Sequence, residues 1–248
     1  MIYHGYEYIL YDEKCQETKI IIFNLQITLT LCDKCCTILC VTKSHGGKRM
    51  AKLYFKYGAM GSSKTANALI TKFNYEERGM KVWLIKPSTD SRDGECTVRS
   101  RIGLSAEAQV VPPEMNIEKE FENHVDCDVI IADECQFFTP EQIDQLRDLV
   151  NDKNLPVLCF GLRTDFMTRL FPGSRRLFEV ADSITEIKTI CRCGSKAIVN
   201  ARIDGEGRVL TEGEQVFLGG NDSYVAMCHR CWKNAIDEQK KSKTEAKK

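Results

Sequence analysis

The sequence predicts an α/β fold: a doubly wound, mostly parallel phosphate-loop sheet carrying a small C-terminal zinc-binding lobe. Three features predict it. Short apolar runs alternate with stretches of helical periodicity from Lys52 to Gly161, the order that builds parallel strands joined by right-handed crossovers. The first strand passes into a helix through a glycine-bearing loop, Gly58 to Thr65. Beyond Asp182 the texture changes to short strand-like runs framed by Cys191-x-Cys193 and Cys228-x-x-Cys231. The chain therefore divides into an N-terminal extension over 1–49, a nucleotide-binding body over 50–185, a cysteine-framed lobe over 186–236 and a tail over 237–248 that is a frayed helix end or disordered.

With 248 residues and 43% apolar content, the chain has enough material for one large core or two modest ones. Thirty-five basic residues balance 35 acidic ones, and the pI is about 6.9. That balance argues against bulk affinity for nucleic acid or an anionic membrane. The thirteen cysteines are odd in number and unevenly spaced, as expected of reduced cytoplasmic thiols, some of them metal ligands.

Residues 1–49 have a texture of their own, rich in isoleucine, threonine and cysteine. Lys19 to Val41 is apolar, but Asp33 and Lys34 interrupt its middle, at a cost that argues against a membrane span. The segment lacks the basic start and small-residue cleavage site of a secretory signal. Cys32, Cys35, Cys36 and Cys40 offer a second metal site or, since no further pair follows nearby, unligated thiols. Met50-Ala51-Lys52 reads as a natural N-terminus, because the first strand of the body follows at once. On that expectation the first 49 residues are mis-annotated or disordered.

The loop reads Gly58, Ala59, Met60, Gly61, Ser62, Ser63, Lys64, Thr65. Glycine, four residues, a small residue and Lys-Thr resemble the phosphate-binding loop, whose backbone N–H groups and following helix N-terminus cradle a nucleotide's phosphates. Lys64 is placed to reach the outer phosphates, and the Thr65 hydroxyl to ligate magnesium. Ser63 stands where the motif has glycine, and it tolerates fewer backbone angles. Ala66, Leu69, Ile70 and Phe73 give the next helix an apolar face, with Gly79 as its cap. Lys81 to Ile85 reads as a strand. Pro87 to Gly103 carries Asp90, Arg92, Arg99 and Arg101, as a loop beside an anion or a solvated surface loop would.

Cys127 to Ala132 is a buried parallel strand by its unbroken apolar run, ending in Asp133-Glu134. An aspartate here helps hold magnesium, and the adjacent Glu134 is available to take a proton from an attacking hydroxyl. Roughly 70 residues separate this pair from the loop, so both halves of one active site are supplied. Thr139-Pro140-Glu141-Gln142 opens the next helix with a capping box and a first-turn proline; Ile143, Leu146, Leu149 and Val150 form its buried stripe. Leu155 to Gly161 is another buried strand. Cys191, Cys193, Cys228 and Cys231 bracket a hairpin turning at Asp204 to Gly207; four thiolates suit a tetrahedral structural zinc, with His229 as a less fitting substitute.

Gly58 to Thr65, Asp133 to Phe138, Gly161 to Phe166, the cysteine pairs and Gly219 to Tyr224 together resemble the zinc-containing thymidine kinases of bacteria and animal cytosol. The likeness runs from about Ala51 to Ala235. It implies ATP on the phosphate loop, flanked by Asp133, Glu134, Cys135 and Gln136. Magnesium would lie at Thr65 and Asp133, with Glu134 as the catalytic base. It further implies thymidine against Met60, Phe137, Leu162, Phe166 and Tyr224, its base read by main-chain groups of Gln215, Val216, Phe217, Leu218 and Gly219. Structural zinc, a cytoplasmic homotetramer and inhibition by dTTP complete the expectation, and Arg163 is a further group for the developing charge. Rival readings are a kinase for another deoxynucleoside such as deoxyuridine, a zinc-ribbon ATPase acting on nucleic acid, and a nucleotide-binding regulator without catalysis.

Overall fold

The structure is a computed structural model describing residues 50–90, 96–215 and 223–245, together with four strands nearer the N-terminus. Two compact units, Met1–Met50 and Ala51–Lys248, make up the chain. In the first, β1 (Glu7–Asp12), β2 (Glu17–Ile22), β3 (Ile27–Cys32) and β4 (Thr37–Val41) form an antiparallel sheet in sequence order. Of the second metal site considered, Cys32 and Cys40 fall on β3 and β4, while Cys35 and Cys36 lie outside the described residues. Among the described residues no helix is long and apolar enough to cross a membrane.

The second unit is built on β5 (Leu53–Tyr57), β6 (Val82–Pro87), β9 (Gln109–Val111), β10 (Val129–Ala132), β11 (Val157–Gly161) and β12 (Ser183–Glu186). They form one parallel sheet in the order β12-β5-β11-β10-β6-β9. Register follows the two-residue period of a strand. Leu53 and Phe55 pair with Val157 and Cys159, which pair with Ile130 and Ala132, and these with Trp83 and Ile85. All eight point to one apolar layer, covered by α2 (Ile117–Glu120), α3 (Pro140–Lys153) and α4 (Pro172–Val180). The alternate residues Leu84, Val129, Ile131, Leu158 and Phe160 form a second layer beneath α1 (Lys64–Glu76) and the hairpin of β7 (Thr97–Arg99) and β8 (Ser105–Glu107). Burial on both faces explains why the strands read as unbroken apolar runs.

The capping box is present: Thr139 Oγ1 accepts from the Gln142 amide at 3.1 Å, and Gln142 Oε1 accepts from the Thr139 amide at 3.2 Å. Ile143, Leu146, Leu149 and Val150 are buried as predicted. The face of α1 differs from the sequence reading. Its stripe toward the sheet runs through Lys64, Ala68, Leu69 and the half-buried Tyr75, while Ile70 and Phe73 are 47% and 57% exposed. The phosphate loop sets the rotation of this helix, overriding the best apolar pattern. The helix ends at Glu76, and Gly79, at φ 74°, closes it with the Met80 amide donating to Tyr75 O at 3.1 Å.

The C-terminal lobe pairs β13 (Thr189–Ile190) with β14 (Lys196–Ala197) and β15 (Val199–Arg202) with β16 (Tyr224–Met227). The predicted turn is there, with Asp204 N donating to Arg208 O at 3.0 Å and Gly207 at φ 78°. Helix α5 (His229–Glu245) runs through most of the tail read as a helix end or disordered. Its Gln239 amide, oriented to satisfy both bonds, pairs with the backbone N and O of Val209 at 2.7 and 3.1 Å.

Gly173 opens α4 against the turn after β10, where an added Cβ would stand 2.7 Å from the carbonyl oxygens of Cys135 and Phe138. Gly173→Ala is expected to destabilise the protein by about 1–3 kcal/mol, read as a lower urea midpoint; an unchanged midpoint would refute this close fit.

Candidate active site

The loop between β5 and α1 is shaped by its small residues. Gly58 N donates to Gly161 O at 3.2 Å, and a Cβ on Gly58 would overlap Ser62 Oγ and Ile187 O. Gly61 has φ 75°. Ser63, with φ 59° and ψ 31°, occupies the left-handed region that the motif's usual glycine adopts without strain, a cost of about 1–2 kcal/mol for a residue bearing a Cβ. Lys64 is 8% exposed and donates from Nζ to Ala59 O at 3.0 Å. Burial lowers its pKa, the nearby Glu134 and Asp133 charges oppose that shift, and Arg101 reinforces it.

Facing the loop is the end of β10. Asp133 N donates to Ile85 O at 3.0 Å, which holds the residue in sheet register, and its carboxyl is buried beside the Thr65 hydroxyl that hydrogen-bonds to it. Burial, and next the charge of Glu134, pushes the Asp133 carboxyl up to about 7. Glu134 leaves the strand at φ 50°, a left-handed turn that swings the following single turn of helix back under the sheet end. Gln136 orients its carboxylate: Nε2 donates to Glu134 Oε2 at 2.5 Å while Oε1 accepts from the Leu162 amide at 2.8 Å. Gly161 makes room for this, since a Cβ there would lie 2.6 Å from Gln136 Oε1.

A cavity of about 860 Å³ spans these groups. Met60, Gly61, Ser63, Lys64 and Thr65 of the phosphate loop line it, together with Asp133, Glu134 and Gln136 and with Phe137, Leu162, Phe166, Gln215 and Tyr224. Asp90, Arg99 and Arg101 from the polar loop border it as well. The sequence-predicted residues thus converge, with exceptions. Gly58, Ala59 and Ser62 support the loop from behind. Cys135 is wholly buried beside Cys159, which raises its thiol pKa. Arg163 lies over the Tyr57 ring, 5.9 Å from its centroid, and is not among the lining residues. Arg92 and Val216 to Gly219 lie outside the described residues.

Three buried residues carry no predicted role and matter here. Asn200 accepts from the Met60 amide and donates to Thr164 O, both at 2.8 Å, tying the phosphate loop to the loop after β11. Asp165 accepts from the Met167 and Arg169 amides at 2.9 Å and from Gln215 Nε2 at 3.0 Å. Arg202 reaches Tyr224 and the chain at Glu214 and Gln215. Asp165 stood inside a recognised motif; Asn200 and Arg202 had no spacing signal.

The sulfur atoms of Cys191, Cys193, Cys228 and Cys231 lie within 4.8 Å of one another, with Cys193 and Cys228 3.7 Å apart. A tetrahedral site with metal–sulfur bonds of about 2.3 Å has edges of about 3.8 Å, so the cluster fits a metal ion. The Ser195 hydroxyl and amide draw the Cys193 thiol down to about 6, whereas hydrogen bonding with Cys228 and its neighbours pushes Cys231 up to about 12. His229 is absent from the group and packs 5.4 Å from the Trp232 ring.

Backbone amides and a buried lysine at the mouth of a parallel sheet, with two carboxylates opposite, are the arrangement of the phosphate-loop nucleotide-binding α/β proteins. The thymidine kinase family model matches residues 51–232. The thymidine kinase of Yersinia pseudotuberculosis serotype I is 47% identical over 190 residues, 75% of this chain and 97% of its own. That of Shewanella oneidensis is 45% identical over 192 residues, 75% and 99% of the two chains, and that of Ruegeria pomeroyi 42% identical over 192 residues, 76% and 97%. The chain belongs to the thymidine kinase family.

Asp133 also sets a pH dependence. Between its ordinary 3.8 and about 7 the folded chain holds a proton that the unfolded chain releases, so stability falls as pH rises through that window and levels off above it. Without magnesium and nucleotide, Asp133→Asn is expected to flatten this part of the urea-midpoint profile. Parallel profiles for the two proteins would refute it.

Proposed function

We propose that this protein is an ATP-dependent thymidine kinase that transfers the γ-phosphoryl group of ATP to the 5′-hydroxyl of thymidine, giving dTMP. The observation that carries this reading is the shared cavity, which Lys64 and Glu134 line together with Phe137, Phe166 and Tyr224. Family membership supports the substrate.

The loop amides and Lys64 bind the β- and γ-phosphates. Magnesium with ATP would be held by Thr65 and Asp133, whose side chains already meet, and would supply charge neutralisation at the phosphates. Glu134, aimed by Gln136, takes the proton of the 5′-hydroxyl as its oxygen attacks the γ-phosphorus in line. Phe137, Leu162, Phe166 and Tyr224 pack the nucleoside and exclude water, while Gln215 and the main chain beyond it read the base. Arg99 and Arg101, bordering the cavity, add positive charge for the phosphates. Zinc fits the cysteine cluster and stabilises a lobe that buries little apolar surface of its own. By the family resemblance the enzyme is a cytoplasmic homotetramer inhibited by dTTP.

With Mg-ATP and each of the four deoxynucleosides, thymidine is expected to be the preferred acceptor. Glu134→Gln should then lower turnover roughly a hundredfold or more with ATP affinity nearly intact; unchanged turnover would remove Glu134 from this role. Metal analysis of the purified protein is expected to find one zinc per chain, lost together with thermal stability in Cys228→Ser. A wild-type protein free of zinc yet equally stable would overturn that assignment.

A further inference from the structure

We propose that Arg202 is a positioning residue for the nucleoside: it fixes the pocket wall made by Phe166, Gln215 and Tyr224 without entering the cavity. The proposal rests on the reading of that cavity as a nucleoside kinase site. Arg202 sits on β15, 6% exposed, and is not among the lining residues, whereas the three residues it holds all are.

Its guanidinium reaches three separate segments at once. Nη1 donates to Glu214 O at 2.9 Å and Nη2 to Gln215 O at 3.4 Å. Nε and Nη2 donate to the Tyr224 hydroxyl at 2.9 and 2.6 Å. The plane lies over the Phe166 ring, 3.9 Å from its centroid. Gly213, at φ 131°, turns the chain close by in a backbone conformation that residues with a side chain rarely adopt. Gln215 is held from a second side by Asp165 Oδ2.

Only a planar fork of several donors can make these bonds and still stack on a ring. A lysine keeps the charge but offers one donor centre, so it can serve one of the two arms. Loss of the fork releases Gln215 and Tyr224, which meet the nucleoside, and leaves the phosphate loop and Glu134 on their own supports. The signature is therefore a nucleoside effect with the ATP side spared.

The test compares wild type, Arg202→Lys, Tyr224→Phe and the double variant, with steady-state kinetics in thymidine and in ATP. Titrations of the four deoxynucleosides follow binding alone. Arg202→Lys is expected to raise the thymidine KM at least tenfold, with kcat within about threefold and the ATP KM within about twofold. Tyr224→Phe removes only the acceptor oxygen and is expected to raise the thymidine KM in the same direction; the double variant should be no worse than Arg202→Lys. An unchanged thymidine KM in either single variant, or equal shifts for thymidine and ATP, would overturn the proposal. If Arg202→Lys does not fold, Tyr224→Phe decides alone. Should wild type prefer another deoxynucleoside whose binding Arg202→Lys weakens, the thymidine reading falls and the positioning role stands.

Discussion

The structure depends on an ammonium group taken out of water. Lys64 is held at the root of α1 by one carbonyl, that of Ala59, and the desolvation it suffers is offset by the acidic pair at the end of β10. A buried cation of this kind is tolerable only when opposite charge stands close by. The parallel sheet meets that demand by ending β5, β10 and β11 along one edge, so loops distant in sequence deliver Lys64, Asp133 and Gly161 to the same place. An incoming polyphosphate would find positive charge already stripped of solvent, where electrostatic attraction is stronger than in water.

That arrangement was legible in the sequence to the extent that local chemistry carries it. Continuous apolar runs marked β10 and β11 because both faces of those strands are covered. Thr139 and Gln142 marked the start of α3 because a capping box is a contact within four residues. Where long-range packing decides, the pattern misled: Ile70 and Phe73 looked like core, yet the loop before them fixes which side of α1 faces the sheet. Composition left the lysine-rich tail as a helix end or disorder; α5 continues through it to Glu245, with Gln239 paired to the backbone of Val209.

The cysteine-framed lobe was visible as a motif, while its working parts were not. Val199 and Ala201 alternate on β15 with Asn200 and Arg202, and all four are buried. An alternation of apolar and polar residues usually signals one wet face; here the polar residues point at other protein. Asn200 spends its whole amide on two backbone groups of the α/β body. The lobe is thereby bonded to the phosphate loop itself, and Asn200 is at the same time one of the residues lining the cavity.

Ser63 and Glu134 share an unusual trait, since each bears a Cβ and each adopts left-handed backbone angles. The two sides of the site thus hinge on conformations that most amino acids resist. Inheritance feels this directly. At Ser63 the variation open to descendants of this gene is weighted toward glycine, asparagine and aspartate, whereas at Glu134 the carboxylate proposed as base holds the residue in place against the backbone's preference.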